Sequence, residues 1–225
     1  MRKVYLDNAA TTMVRQEVVD AMIPAFTTYY GNPSSLHEFA REAGELVDTA
    51  RAKVANAINA KPDEIVFTGG GSESDNMVLR GAIAANKKKG KHIITTAVEH
   101  HAVLYTLQAM EREGIAELTI LPVDEYGLVT AEQVANAIRE DTVLVSVMFA
   151  NNEVGTIMPI PEIGKVCHDK GVWFHTDAVQ ATGHVPIDVQ SMNIDMLSMS
   201  AHKFHGPKGI GALYIRKGVR LPALI

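Results

Sequence analysis

Residues 64–75 of the chain read EIVFTGGGSESD, and this stretch is the clearest sequence signal of the fold. The short apolar run at residues 64–68 is typical of a strand, the three glycines predict a tight turn, and residues 72–89 have the pattern of a helix. A strand, a turn and a helix in this order form the repeating unit of a doubly wound α/β domain. The unit recurs along the chain.

The same alternation of short apolar runs and amphipathic segments continues to residue 215. Further strands are predicted at residues 92–96, 117–121, 143–149, 172–175, 195–198 and 211–215, with helices at residues 39–58, 100–112, 131–139 and 163–169. The apolar stripe within residues 39–58 predicts a helix with one buried face. The connection SAHKFHGPKG between the last two strands is too short for a crossover helix, so these strands are expected to be antiparallel. The prediction is a three-layer α/β/α fold with a mostly parallel seven-stranded sheet and one antiparallel strand.

Composition narrows the class of protein. The 225 residues carry 21 Lys and Arg against 26 Asp and Glu, and the formal charge of −5 indicates neither nucleic acid nor an anionic membrane as a partner. A single cysteine suits a reducing compartment, so a cytoplasmic protein is expected. No uncharged apolar run approaches the roughly 18 residues of a membrane span, and residues 1–12, MRKVYLDNAATT, lack the apolar segment of a signal peptide.

Two segments that follow predicted strands carry groups that could bind an anion and a cation, respectively. Free amides at the start of the helix after the glycine turn favour a phosphate, to which the Ser72 hydroxyl could donate. The alternative is a tight turn in which Ser72 only caps the helix. Asp177 follows a buried strand in the segment WFHTDAVQ at residues 173–180, where open α/β sheets bind ligands. Its carboxylate could hold a cationic ring nitrogen, or it could cap the next helix.

Three further segments carry an amine, an imidazole and an amide. Lys203 lies between two predicted strands and could form an imine with a carbonyl cofactor, or it could be a surface lysine. His202 and His205 flank this region, but no carboxylate or cysteine completes a metal set there, so no metal is predicted. His100 could stack on a planar ring and transfer protons, or cap a helix. Asn152 could donate to a carboxylate or a phenolic oxygen, or form a turn.

These segments are expected to meet at one edge of the sheet. Four of them follow a predicted strand, and the fifth connects the last two strands. A phosphate cradle, a carboxylate, an imidazole, an amide and an amine together match pyridoxal 5′-phosphate. The phosphate would lie at the glycine turn, the ring nitrogen at Asp177 and the aldehyde at Lys203.

Seven motifs occur in order along the chain. They are YLDNAATT at residues 5–12, GNPSSLH at 31–37, TGGGSESDN at 68–76, EHHAV at 99–103, NNEVGT at 151–156, HTDAVQ at 175–180 and SAHKFHGPKGIGALY at 200–214. Together they resemble the cysteine desulfurases of the NifS/IscS type, within the class V aminotransferase-like group of fold-type I pyridoxal-phosphate enzymes.

The resemblance implies a role for each of nine residues. Lys203 bonds to the cofactor and removes the α-proton, His100 stacks on the ring and moves protons, and Asp177 pairs with the ring nitrogen. Gln180 reaches the ring hydroxyl, and Asn152 lies near the ring oxygen and the substrate carboxylate. The residues implied to hold the phosphate are Gly71, Ser72, Ser200 and His202.

The implied reaction removes sulfur from L-cysteine and yields L-alanine and an enzyme persulfide, for iron–sulfur cluster assembly or another sulfur-transfer pathway. The implied partners are L-cysteine, a second copy of the chain in a homodimer, and a sulfur-acceptor or iron–sulfur scaffold protein. A selenocysteine lyase, another class V aminotransferase-like enzyme and a cofactor-binding fragment without turnover remain alternatives.

The expected domains are an N-terminal segment at residues 1–12 and a pyridoxal-phosphate-binding large domain at residues 13–225. The resemblance implies a smaller C-terminal domain that these residues lack, with a mobile loop bearing the sulfur-accepting cysteine and an arginine for the substrate carboxylate. Cys167 lies on an apolar helical stripe with Ile163 and Val166, so it is expected in the core.

Overall fold

Strands and helices alternate along the chain, as the recurring sequence unit predicts. The structure, a computed structural model, describes residues 2–223; the first residue of the predicted N-terminal segment and the last two of the predicted large domain lie outside the described residues. The strands are β1 (Ile65–Thr68), β2 (His92–Thr96), β3 (Glu117–Leu121), β4 (Thr142–Ser146), β5 (Trp173–Asp177), β6 (Met196–Ser200) and β7 (Gly211–Ile215). The helices are α1 (Gln16–Thr27), α2 (Glu38–Ala57), α3 (Gly71–Ala85), α4 (His101–Arg112), α5 (Ala131–Ala137) and α6 (Ile160–Asp169).

Within residues 2–223 the strands form a seven-stranded sheet in the order β1-β7-β6-β5-β4-β2-β3. β7 is antiparallel to both of its neighbours, β1 and β6, and the other neighbouring pairs are parallel. The connection from β6 to β7 reverses the chain direction through a short 3-10 helix, Ala201–Lys203. The predicted mostly parallel sheet with one antiparallel strand is therefore confirmed.

Successive side chains of a strand point to opposite faces of the sheet. Apolar side chains lie on both faces here, and helices cover both of them. Ile93 and Leu144 pack in the core formed with α3 and α4. Ile94 and Val145 pack in the core formed with α5 and α6. Cys167 is fully buried in this second core, as predicted. The three-layer architecture is confirmed, and no helix within residues 2–223 has the length and apolar composition needed to cross a bilayer.

The N-terminal part of the chain differs from the prediction. Its residues 39–58 predict a helix with one buried face, but the buried residues of α2 are Ala40, Ala43 and Ala55. Phe39 and Leu46 on the same stripe are 54% and 43% exposed. α1, which the sequence does not predict, has no buried residue within the described chain. Periodicity indicates which face of a helix is apolar, but it does not indicate whether another element covers that face.

Candidate active site

A cavity of about 490 Å³ lies at the edge of the sheet where the parallel strands end. It is lined by the N-terminal segment and by turns that follow several of the strands. All nine of the predicted site residues line this one cavity, namely Gly71, Ser72, His100, Asn152, Asp177, Gln180, Ser200, His202 and Lys203. The sequence therefore predicts which side chains come together, while the role of each remains a prediction.

The glycine turn after β1 leads directly into α3. Gly70 is the N-cap residue of this helix, with a φ of 151° that L side chains rarely adopt. Ser72 is thus the second residue of the helix, and the alternative in which Ser72 is the cap is wrong. Gly70 has no capping side chain, so the first amides of α3 are available to an anion. The Glu73 carboxylate instead accepts the Gly69 N–H at 2.6 Å.

The position of the glycine turn depends on its contact with β7. A Cβ on Gly211 would lie 2.6 Å from the Met199 carbonyl oxygen and 2.7 Å from the Gly70 Cα. Because real Cβ atoms do not approach backbone so closely, only glycine lets β7 run against both β6 and the turn. The first residue of β7 therefore sets where the start of α3 lies at the sheet edge.

Asp177 ends β5 and is 5% exposed. Its Oδ1 accepts the Val179 N–H at 2.9 Å, so it stabilises a turn rather than the helix that a capping role would require. Burial raises the pKa of Asp177, whereas this hydrogen bond and the nearby His100 and Lys203 lower it. A cationic group entering the cavity beside Asp177 would therefore favour its ionised form.

Lys203 and Gln180 both donate to the same backbone oxygen. The Lys203 Nζ donates to the Ala9 carbonyl, and the Gln180 Nε2 donates to it at 2.8 Å. Burial lowers the pKa of Lys203, and the carboxylates of Asp177, Asp7 and Glu153 oppose that change. A lysine with a lowered pKa has a larger neutral fraction, which is the form that attacks a carbonyl.

His100 is the N-cap residue of α4, and its Nδ1 accepts the Ala102 N–H at 3.1 Å. The capping alternative is thus correct, but the same ring also lines the cavity. Because Nδ1 acts as an acceptor, the proton of the neutral ring lies on Nε2. Asn152 donates through Nδ2 to the Glu153 carboxylate at 2.6 Å. That contact leaves its carbonyl oxygen and one amide hydrogen available.

The two histidines beside Lys203 hold the N-terminal segment in place. His202 lies 3.1 Å from the Thr11 hydroxyl through Nδ1, and its carbonyl oxygen accepts the Thr12 N–H at 2.8 Å. His205 lies 3.1 Å from the Met13 carbonyl oxygen through Nδ1. Burial lowers the pKa of His202, as do the charges of Lys203 and Lys208. The structure therefore gives these rings backbone and hydroxyl partners.

Several residues that line the cavity were not singled out by the sequence reasoning. They include Asp7, Ala9, Asp75 and Glu153. Asp7 and Ala9 belong to the motif YLDNAATT, but nothing in a local pattern indicates that residues 5–12 fold back over the sheet edge. Asp75 lies four residues after Gly71 on α3, a spacing that places both residues on the cavity face of the helix.

Comparison with known proteins agrees with this fold. The family described as Aminotransferase class-V matches residues 4–223. A cysteine desulfurase IscS of Clostridium botulinum is 58% identical over 224 residues, which are 100% of this chain and 56% of the relative. One of Methanosarcina thermophila is 56% identical, over 100% of this chain and 55% of the relative. The chain thus spans about half the length of the curated relatives it matches.

Two solved structures of similar proteins have the same fold as this chain. A structure described as a NifS-like protein has a TM-score of 0.96 and 42% identity, and the match covers 100% of this chain and 62% of that chain. A structure described as SspA in complex with cysteine has a TM-score of 0.95 and 42% identity, over 99% of this chain and 65% of that chain.

Proposed function

Because the chain belongs to the class-V aminotransferase family, we propose that it carries the pyridoxal-phosphate site of a cysteine desulfurase. The observation that supports this proposal is the set of groups lining the 490 Å³ cavity, combined with relatives named cysteine desulfurase. L-cysteine is the proposed substrate, since a structure with 42% identity is described as a complex with cysteine. The proposed products are L-alanine and a persulfide.

The groups in the cavity fit pyridoxal 5′-phosphate, the cofactor used by this family. The uncapped start of α3 and the Ser72 and Ser200 hydroxyls suit a phosphate. A buried carboxylate, Asp177, suits a cationic ring nitrogen, and the Lys203 amine suits an aldehyde. When bound, the cofactor supplies an electron sink for the charge left by loss of the substrate α-proton. A cavity of this volume is within the usual range for small-molecule sites.

Lys203 is proposed to hold the cofactor and to move the α-proton through Nζ. Both tasks need an unprotonated amine. Burial lowers the pKa of Lys203 and so increases the unprotonated fraction. The Ala9 carbonyl accepts a hydrogen bond from Nζ and so fixes one direction of the amine. The N-terminal segment thereby helps to aim the base.

Asp177, Gln180 and His100 are proposed to orient the ring. Asp177 keeps a negative charge beside the ring nitrogen, and its own geometry is fixed by the Val179 N–H. Gln180 is held by the Ala9 carbonyl, which leaves its amide oxygen free to accept. His100 is fixed by its cap to Ala102, so its Nε2 can transfer a proton at the substrate.

The sulfur acceptor is proposed to be a thiol other than Cys167. This residue is fully buried in α6, in the core on the opposite face of the sheet from α3. Burial raises the pKa of the Cys167 thiol, which disfavours the nucleophilic thiolate. The proposal therefore assigns cofactor binding and proton transfer to these 225 residues, and sulfur acceptance to a group outside them.

The proposal also includes a homodimer, a sulfur-acceptor or iron–sulfur scaffold protein as partner, and a cytoplasmic location. Association is supported by the exposed apolar side chains of α1, where Ile23 and Phe26 are 52% and 73% exposed. The proposed cytoplasmic location, which is a reducing compartment, is supported by Cys167, a free and buried cysteine. Light scattering on the purified chain tests the dimer.

Covalent labelling tests the cofactor assignment. The chain is incubated with pyridoxal 5′-phosphate and reduced with borohydride, and the peptides are mapped by mass spectrometry. We expect the pyridoxyl group on Lys203, no label in a Lys203→Ala variant and full labelling in the matched Lys208→Ala variant. A label on Lys208, or bound cofactor without a label on Lys203, would contradict the assignment.

A further inference from the structure

Behind Asp177 lies a buried polar pair to which the proposed reaction gives no role. Asp75 on α3 is 1% exposed, and His175 on β5 is 0% exposed. His175 lies two residues before Asp177 and so points to the same face of the sheet. Asp75 Oδ1 lies 3.7 Å from His175 Nε2, beyond hydrogen-bond distance. We propose that Asp75 and His175 form an uncharged pair, and that Asp75 is a positioning residue that keeps the negative charge of this buried wall on Asp177.

Serine hydroxyls satisfy both ring nitrogens of His175. Nδ1 lies 2.9 Å from the Ser146 Oγ, and Nε2 lies 3.0 Å from the Ser198 Oγ. A hydroxyl can donate or accept, so a neutral ring makes both bonds without an ionic partner. Burial lowers the pKa of His175 to about 3, in agreement with this geometry. A neutral His175 leaves Asp75 with no cation opposite it.

The two aspartates have different surroundings, which decides which one is charged. Asp177 Oδ1 accepts the Val179 N–H and faces His100 and Lys203. Asp75 Oδ1 is buried and has no hydrogen-bond partner within the described residues. Two ionised carboxylates in one buried wall disfavour each other. The proton therefore goes to Asp75, the residue with fewer stabilising contacts.

Most of the other influences on Asp75 also favour its protonated form. Burial raises the pKa of Asp75 well above its ordinary value, and the charge of Asp177 raises it further, whereas the Ser198 hydroxyl lowers it. Glu99, from the turn after β2, also raises it. With Asp75 uncharged, the positively charged ring nitrogen of the bound cofactor would face a single negative charge, that of Asp177. This role rests on the proposed function, while the uncharged pair itself does not.

Unfolding by urea as a function of pH tests the charge of Asp75 without any cofactor. The folded state holds a proton on Asp75 that the unfolded state releases above about pH 4, so the contribution of Asp75 to stability falls as pH rises from there. We expect Asp75→Asn to raise the urea midpoint at pH 7 and to lose this advantage below about pH 4. An ionised Asp75 paired with a protonated His175 would give the opposite result, a lower midpoint, and would overturn the proposal.

Asp188→Asn is the matched control for that experiment. The Asp188 carboxylate accepts the Gln190 and Ser191 N–H groups at 2.9 and 3.0 Å, and these bonds together with Asn59 lower its pKa. Its stabilising contribution is present above pH 4 and is lost as pH falls. We therefore expect the same substitution there to lower the midpoint at pH 7.

Nitrogen NMR of the histidine rings tests the pair in the unaltered chain, whether or not Asp75→Asn folds. We expect the two ring nitrogens of His175 to have well-separated shifts at pH 7, as in a neutral tautomer. Similar shifts for both nitrogens would indicate a protonated ring and would overturn the proposal.

The positioning role is tested by the absorption of bound pyridoxal phosphate as a function of pH. We expect Asp75→Asn, which keeps the shape and the lack of charge, to leave the midpoint of this titration unchanged, because Asp177 carries the negative charge in both chains. A shifted midpoint in Asp75→Asn would mean that Asp75 carries a charge beside the bound cofactor and would refute the positioning role. If the wild-type chain binds no pyridoxal phosphate, the proposed function fails, while the urea and NMR measurements still decide the charge of the pair.

Discussion

Replacing Asp177 with asparagine should weaken cofactor binding and leave the fold intact. Asparagine keeps the shape of the side chain and an Oδ1 that accepts the Val179 N–H, now 2.9 Å away. It removes the negative charge that would face the ring nitrogen. A hydrogen bond to a charged group contributes about 1.5–3 kcal/mol, which corresponds to a loss of about 10- to 150-fold in affinity for pyridoxal phosphate.

The free energy of unfolding of Asp177→Asn should rise or stay the same, although its affinity for the cofactor falls. Burial raises the pKa of Asp177, so the folded chain without cofactor gains nothing from this charge at neutral pH. The urea midpoint of Asp177→Asn at pH 7 should therefore be at least that of the wild type. A change in affinity without a loss of stability would separate the binding role of Asp177 from a structural one.

Equilibrium dialysis against pyridoxal phosphate measures the affinity. Asp188→Asn is the control, because it makes the same substitution at a half-buried site outside the cavity. If folded Asp177→Asn binds the cofactor as tightly as the wild type does, the ring nitrogen is not held by Asp177 and the reasoning is wrong. An affinity loss matched by an equal loss of stability would also contradict it.

Four further predictions concern stability and turnover. Burial raises the pKa of Glu99 to about 8, so Glu99→Gln should gain stability over the wild type as pH rises from about 4.5 to 8, and pH-dependent urea unfolding measures this gain. Gly44→Ala in α2, whose added Cβ would meet nothing closer than 4.0 Å, should stabilise the chain by about 0.5–1 kcal/mol. Gly164→Ala in α6 should destabilise it by about 1–3 kcal/mol, because the Cβ would lie 2.0 Å from the Met192 carbonyl oxygen; equal effects of the two glycine changes would contradict the packing. The 225 residues should release no sulfide or alanine from L-cysteine in repeated turnovers, and turnover that Cys167→Ser abolishes would mean that this buried thiol is reachable.

Much of the site can be predicted because its signals are local. The glycine turn before α3 and Asp177 at the end of β5 each follow a short apolar run, and parallel strands bring such positions to one edge. The reversal of β7 follows from the length of one connection. Lys203 is identified by that connection and by the motif around it. None of these inferences needs knowledge of a distant contact.

The remaining features depend on contacts between distant residues. The Ala9 carbonyl meets Lys203 and Gln180 only because residues 5–12 return to the sheet edge. The pairing of Asp75 with His175 requires α3 to pack against β5 in one register. The exposure of Phe39 likewise depends on which elements lie beside α2. The pattern of residue types along the sequence does not show which distant residues come into contact.

The order of the strands has a consequence for protein synthesis. Within the described residues β1 pairs only with β7, and Thr68 at its end lies opposite Gly211. A chain leaving the ribosome releases β1 at residues 65–68, but its partner strand in the described sheet begins only at residue 211. The glycine turn therefore has no β7 beside it until residue 211 has been made, and pairing between such distant segments is slow. A nascent chain halted before residue 211 should have most of its sheet but no place for a phosphate.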